Sequence, residues 1–115
     1  ARMSARWHDI AHAPVGVTHC RHLPPRFDFA VQTVLPRGRP RRLAHQIRQD
    51  LWRALRRVRG FSPVIRLEPV PDGWLVTAGG RLTGMLTAAD MARATAVLED
   101  SRNRLRWMRH AGNSS

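Results

Sequence analysis

The chain has 115 residues, 43% of them hydrophobic, which is enough for one core without disulfide or metal staples. Twenty basic residues stand against eight acidic ones, for a formal charge of +12. The single cysteine, Cys20, leaves no intrachain disulfide and makes a reducing, cytoplasmic setting the expectation. No window reaches the ~18 apolar residues of a membrane span, and no apolar run of a secretory signal follows the first arginines.

A field this cationic favours polyanions: nucleic acid, an acidic membrane surface or an acidic protein. All twenty bases are arginine, and lysine and tyrosine are absent. A GC-rich coding sequence accounts for arginine over lysine. It does not account for acids failing to rise with the bases.

Ala1 to Pro25 has weak periodicity, and Pro14, Pro24 and Pro25 exclude a long helix. Ser4 to Ala13 is compatible with a short helical turn and Val15 to Val17 with a short extended piece. Residues 1–26 are therefore read as an irregular N-terminal arm. Phe27 to Leu35 alternates as a strand, with Phe27, Phe29, Val31, Thr33 and Leu35 on one side. A turn through Gly38 leads to Pro40, which suits a first helical turn.

Arg39 to Arg59 then reads as one amphipathic helix. Leu43, Ile47, Leu51, Ala54, Leu55 and Val58 recur at helical spacing, within an arc of roughly 120°. Asp50 is the only acid, and Gly60 suits the exit.

Ser62 to Val70 is a second strand, whose Pro63 and Pro69 suggest an exposed end or edge. Pro71-Asp72-Gly73 is a hairpin turn, and Trp74 to Ala78 is the returning strand. Gly79-Gly80 is expected to break or bulge it. Thr87 and Asp90 form a capping-box pattern before a second helix, which buries Met91, Ala94, Thr95, Val97 and Leu98. Asp100 is placed to cap a last short piece, with Leu105 and Met108 as its apolar edge. Gly112 to Ser115 reads as a disordered polar tail.

The order strand, helix, strand, strand, helix predicts an α+β fold over residues 27–111. The expected form is a two-layer sandwich, a three-stranded sheet with both helices on one face. The expected core is Phe29, Val31, Leu43, Ile47, Leu51, Val58, Ile65, Leu67, Leu75, Met91 and Leu98.

Three groupings bear on chemistry. Residues 37–59 hold nine arginines and one acid. Guanidinium forks suit phosphate, and Trp52 among them suits stacking on an unpaired base. The nucleic-acid candidates are Arg41, Arg48, Trp52, Arg53, Arg56 and Arg59. The alternatives are a merely solvated helix face and a Trp52 covered by the N-terminal arm. A smaller cluster, Arg102, Arg104, Arg106, Arg109 and His110 around Trp107, either joins the first or lies apart from it.

The second grouping is histidine. His8 and His12 have i, i+4 spacing, and Cys20 and His22 follow, a set to weigh as a zinc site. The paired cysteines of a zinc finger are missing. The third grouping is an absence: no phosphate loop, no nucleophile elbow and no facing pair of carboxylates. No catalytic residue, metal or cofactor is expected.

The sequence thus points to a non-enzymatic module that binds nucleic acid, RNA more than duplex DNA. Two other readings stay open. One is a small adaptor docking an acidic protein, helped by an edge strand at Ser62 to Val70. The other is a zinc-binding protein.

Overall fold

In a computed structural model of the chain, which describes residues 7–12 and 16–112, the fold is α+β. Five strands and three helices follow one another: β1 (His8–His12), β2 (Gly16–Cys20), β3 (Phe29–Leu35), α1 (Pro40–Leu55), β4 (Ser62–Val70), β5 (Gly73–Arg81), α2 (Ala88–Glu99) and α3 (Ser101–Ala111). The sheet is antiparallel throughout, in the order β1-β2-β4-β5-β3. The expected strand–helix–strand–strand–helix unit is its centre. It runs from β3 through α1 to β4, with β5 inserted between those two strands.

The expected three strands and two helices become five and three because His8–His12 and Gly16–Cys20 are strands and not parts of an irregular arm. They form a hairpin that extends the sheet past β4. His8 to His12 is a strand rather than a helical turn, and β2 is buried along its whole length. The pattern was hard to see because β2 places Val17 and His19 toward the helices, so half of its core face is polar. Ala13 to Val15, which joins the two strands, lies outside the described residues, as do Ala1 to Arg6 and Asn113 to Ser115 of the expected tail.

One set of rows across the sheet faces the helices. Asp9, His19, Ile65, Ala78 and Val31 form one such row, and Ala11, Val17, Leu67, Val76 and Thr33 the next. Leu43, Ala44, Ile47, Leu51 and Leu55 of α1 meet these rows and are fully buried. Ala94 and Leu98 of α2 and Trp107 and Ala111 of α3 complete the same core. Two expected core members lie elsewhere. Leu75 falls on the opposite sheet face, in register with Glu68 and Val34, and Met91 is an exposed residue of α2. On α3 the buried side is Trp107 and Ala111, while Leu105 is 67% exposed.

β4 is central, not an edge. β2 pairs with it only over Val64 to Leu67, so Pro63 and Pro69 lie just beyond that ladder, where a missing N–H is tolerated. Val70 pairs with Gly73 around a two-residue Pro71-Asp72 turn, as the sequence predicts. Gly79 and Gly80 do not break β5. The ladder continues through both to Arg81, with Phe29 opposite Gly80 and Val64 opposite Gly79. At Gly80, where φ is +154°, a side chain would run into the Ser62 carbonyl.

α1 ends at Leu55, a turn before the expected Arg59. Val58 N–H donates to the Leu55 carbonyl, and Phe61 N–H to the Val58 carbonyl. These tight turns keep Val58 in the core while Gly60 leaves at φ +69°. The Arg59 carbonyl accepts the amides of Thr83 and Gly84, fixing the exit. The capping box of α2 is formed: Asp90 N donates to Thr87 Oγ1 at 3.1 Å, and Thr87 N to Asp90 Oδ2 at 3.0 Å. Asp100 Oδ1 caps α3 through the amide of Asn103, at 3.0 Å.

Two outcomes follow. Leu51→Ala removes a fully buried side chain where α1 meets the sheet, and is expected to cost about 2–5 kcal/mol in chemical denaturation. Deleting residues 1–21 strips β2 from Ile65 and Leu67. The truncated chain is expected to lose its sharp unfolding transition, read by near-UV circular dichroism; an unchanged transition would show that the hairpin is dispensable.

Candidate nucleic-acid interface

Because α1 buries one stripe, its remaining arc must face outward. No acid lies in its first turn, and Arg39 at the N-cap supplies no capping side chain. The one acid, Asp50, points to α3. Its Oδ2 accepts the indole Nε1–H of Trp107 at 2.6 Å and a guanidinium N–H of Arg106, and its Oδ1 accepts from Arg53 Nη1 at 3.4 Å. Trp107, at the centre of the C-terminal basic cluster, is therefore a core residue with no exposed surface. The negative charge of Asp50 is engaged at the α1–α3 contact, leaving the outer arc of α1 cationic.

The six predicted residues meet different fates. Arg41, Arg56 and Arg59 are exposed and form no ion pair with any described residue. Arg53 is exposed, at the long distance just given from Asp50. Trp52 remains 44% exposed, although Trp7, Arg21 and His22 lie beside it. Arg48 is the residue that is covered. Its guanidinium lies 4.1 Å from the Trp7 ring centroid, and its Nη2 donates to His45 Nδ1 at 2.7 Å. Burial is the first cause holding its pKa below the ordinary guanidinium value, with Arg21 adding to it and Asp9 opposing. Arg48 thus tethers Trp7 to α1.

Trp7 in turn stacks on His19, with centroids 5.0 Å apart and rings 11° from parallel. His19 is 3% exposed, and its Nδ1–H donates to Asp9 Oδ1 at 2.7 Å. His45 meets it edge-on, at 6.2 Å between centroids. Burial, reinforced by Arg48 and only partly offset by Asp9, holds the His19 pKa below 6.5. Burial, Arg48 and His19 lower that of His45. Both shifts favour the neutral imidazole.

Three depressions flank α1. Arg41, Arg42, His45 and Gln46 line one of about 410 Å³, closed by Asp9 and His19 on the hairpin side and His110 of α3 on the other. Arg53, Arg56 and Arg57 line a second of about 380 Å³, with Asp90 and Arg93 of α2. Trp52 borders a third of about 220 Å³, with Trp7, Arg21, His22 and Phe61. Of the C-terminal basic cluster, His110 joins the α1 surface in this way. Arg104 is bound to Thr33 Oγ1 and to the Leu98 and Val34 carbonyls, and Arg106 to Asp50 and Asn103. Sequence reasoning missed the joint role of Asp9, His19 and His45. No apolar alternation marked the hairpin that brings Asp9 and His19 to His45, so no local cue pointed to it.

The zinc candidates are not gathered. His8 and His12 lie on β1, and register sets His8 opposite Cys20 on the sheet face away from the helices. His22 borders the Trp52 depression. Among the described residues no group of three or more His, Cys, Asp or Glu is placed to hold a metal ion, and no helix is long and apolar enough to cross a membrane. No protein-family model matches the chain, and comparison with curated proteins and with solved structures returns no match.

His19 and His45 set a pH dependence. A pKa depressed on folding means the unfolded chain binds more protons below about pH 6.5, so stability is full above that value and falls as pH drops through it. Urea midpoints are expected to decline from pH 7.5 toward pH 5, with a shallower decline in His19→Gln. A second outcome concerns Asp50. Asp50→Ala leaves the buried Trp107 N–H unpaired and is expected to cost about 1–3 kcal/mol by denaturation, the desolvation penalty of a buried donor without an acceptor. Asp50→Asn, which keeps an acceptor, is expected to cost less.

Proposed function

We propose that the chain is a non-enzymatic module that binds single-stranded nucleic acid, RNA before duplex DNA, through the outer face of α1 and the turn after it. The observation that carries this reading is an exposed indole, Trp52, set on a cationic surface whose only helix acid is engaged by α3. Arg41 and Arg42 flank it at one end, and Arg53, Arg56, Arg57 and Arg59 at the other. Guanidinium groups neutralise phosphates along a strand, while the indole stacks on an unpaired base.

The adaptor reading has lost one support. Val64 to Leu67 at the middle of that strand is paired on both sides, so the strand, Ser62 to Val70, offers no continuous free edge for a partner. It keeps the cationic face itself as a dock for an acidic protein.

Fluorescent single-stranded RNA titrated at several salt concentrations separates the two. Phosphate contacts release condensed counterions, with a slope of about −0.7 per contact in log K against log salt. The double change Arg56→Gln and Arg57→Gln is expected to reduce that slope by about two contacts' worth, at similar cost on every sequence. Trp52→Ala is expected to weaken binding by about 1–3 kcal/mol and leave the slope in place. Arg48→Gln is expected to lower stability, with little change in affinity. RNA binding that is unaffected by Trp52→Ala and no tighter than that of an arbitrary arginine-rich protein would refute the reading. A protein partner lost on the same change would replace it with the adaptor.

A further inference from the structure

The depression across the first turns of α1 carries more than positive charge. Its volume of about 410 Å³ falls in the range of small-molecule sites, and three separate parts of the chain build its walls. Arg41 and Arg42 are donors only. The His45 ring is oriented by Arg48: Nδ1 accepts from that guanidinium, so the proton of the neutral ring sits on Nε2, which is a donor. His19 is oriented in the opposite sense. Asp9 holds the proton on Nδ1, so Nε2 is an acceptor, and that atom is buried without a hydrogen-bond partner.

A buried acceptor without a donor is costly and uncommon in folded proteins. A ligand entering this depression would therefore find several donors for an anion, and His19, which lines it, carries one acceptor lacking a hydroxyl or amine. Asp9 is the only acid on the wall. With its Oδ1 occupied by His19, its remaining charge disfavours an anion on the hairpin side and leaves the arginine side to it.

We propose that this depression is a ribonucleotide site, in which Arg41, Arg42 and the Nε2–H of His45 bind a phosphate and His19 Nε2 accepts a ribose hydroxyl. Gln46 and His110 close the wall beyond the phosphate. A free mononucleotide and the phosphorylated end of an RNA strand share this chemistry. The proposal draws on the nucleic-acid reading only for the second of these sources, since a free nucleotide needs no other part of α1.

Histidine ring resonances of the whole protein, followed by NMR during titration with adenosine monophosphate, test the site. The rings of His19, His45 and His110 are expected to shift together, while those of His8 and His12, on the other sheet face, stay in place. Adenosine without phosphate is expected to bind at least tenfold more weakly, and the dideoxy nucleotide, lacking both ribose hydroxyls, several-fold more weakly. Arg42→Gln is expected to weaken the nucleotide by about tenfold, through loss of a charge-assisted contact, with the circular dichroism spectrum unchanged. Arg56→Gln is expected to leave nucleotide affinity unaltered, even where it weakens long RNA.

A short RNA with a terminal phosphate, compared with its hydroxyl-ended form, assigns the source. A preference for the phosphorylated strand selects the strand end, and no preference selects the free nucleotide. Absence of shifts at millimolar nucleotide, or equal shifts of all six histidines, overturns the site. Equal affinity for the dideoxy nucleotide overturns the role given to His19. If long RNA fails to bind while the nucleotide shifts persist, the α1-face reading falls and this one stands.

Discussion

The carboxylate of Asp50 accepts the indole N–H of Trp107 and a guanidinium N–H of Arg106, and α3 is pinned to α1 at that point. Trp107 is the largest fully buried side chain of the described residues. Its indole needs an acceptor once it leaves water, because a buried N–H without one costs ~1–3 kcal/mol. α1 supplies that acceptor from its only acid. The same contact that lets a tryptophan enter the core thus removes the one nearby counter-charge from the outer face of the helix. Packing and surface electrostatics are coupled through a single residue.

A second coupling lies on the opposite flank of α1. Trp7 stacks on the His19 ring and meets the guanidinium of Arg48, and Arg48 reaches on to His45. Asp9 fixes the proton of His19, and Arg48 fixes that of His45, so two neighbouring imidazoles present opposite hydrogen-bonding character. An arginine-rich surface alone offers donors. The hairpin adds an acceptor beside them, and that gives the first turns of α1 a chemistry distinct from the purely cationic turn that follows Leu55.

The arginines divide into two kinds. Arg104 and Arg106 bind carbonyl, hydroxyl and carboxylate oxygens at element junctions, and Arg37 reaches the Val70 carbonyl while lying 4.9 Å from the Trp74 ring centroid. These are structural, and their multiple donors suit the work. Arg41, Arg42, Arg56, Arg57 and Arg59 are exposed and form no ion pair among the described residues. A codon bias toward arginine supplies both kinds alike. The fold decides which of them remain available to a ligand.

Periodicity was enough to read β3, the apolar stripe of α1, the Pro71-Asp72 turn, and the caps at Thr87 and Asp100. Each of these rests on local rules: side-chain spacing, a fixed proline φ, and a side-chain oxygen for orphan amides. The same sequence left the hairpin, the burial of Trp107 and the covering of Arg48 unread. A strand with histidine on its core face carries no apolar alternation, and a tryptophan among arginines looks the same whether it stacks on a base or enters a core. Those outcomes depend on which distant group arrives beside each side chain: Asp9 at His19, Asp50 at Trp107, and Trp7 at Arg48. Only the tertiary structure brings such pairs together, because their partners lie ten or more residues apart and no local spacing encodes them.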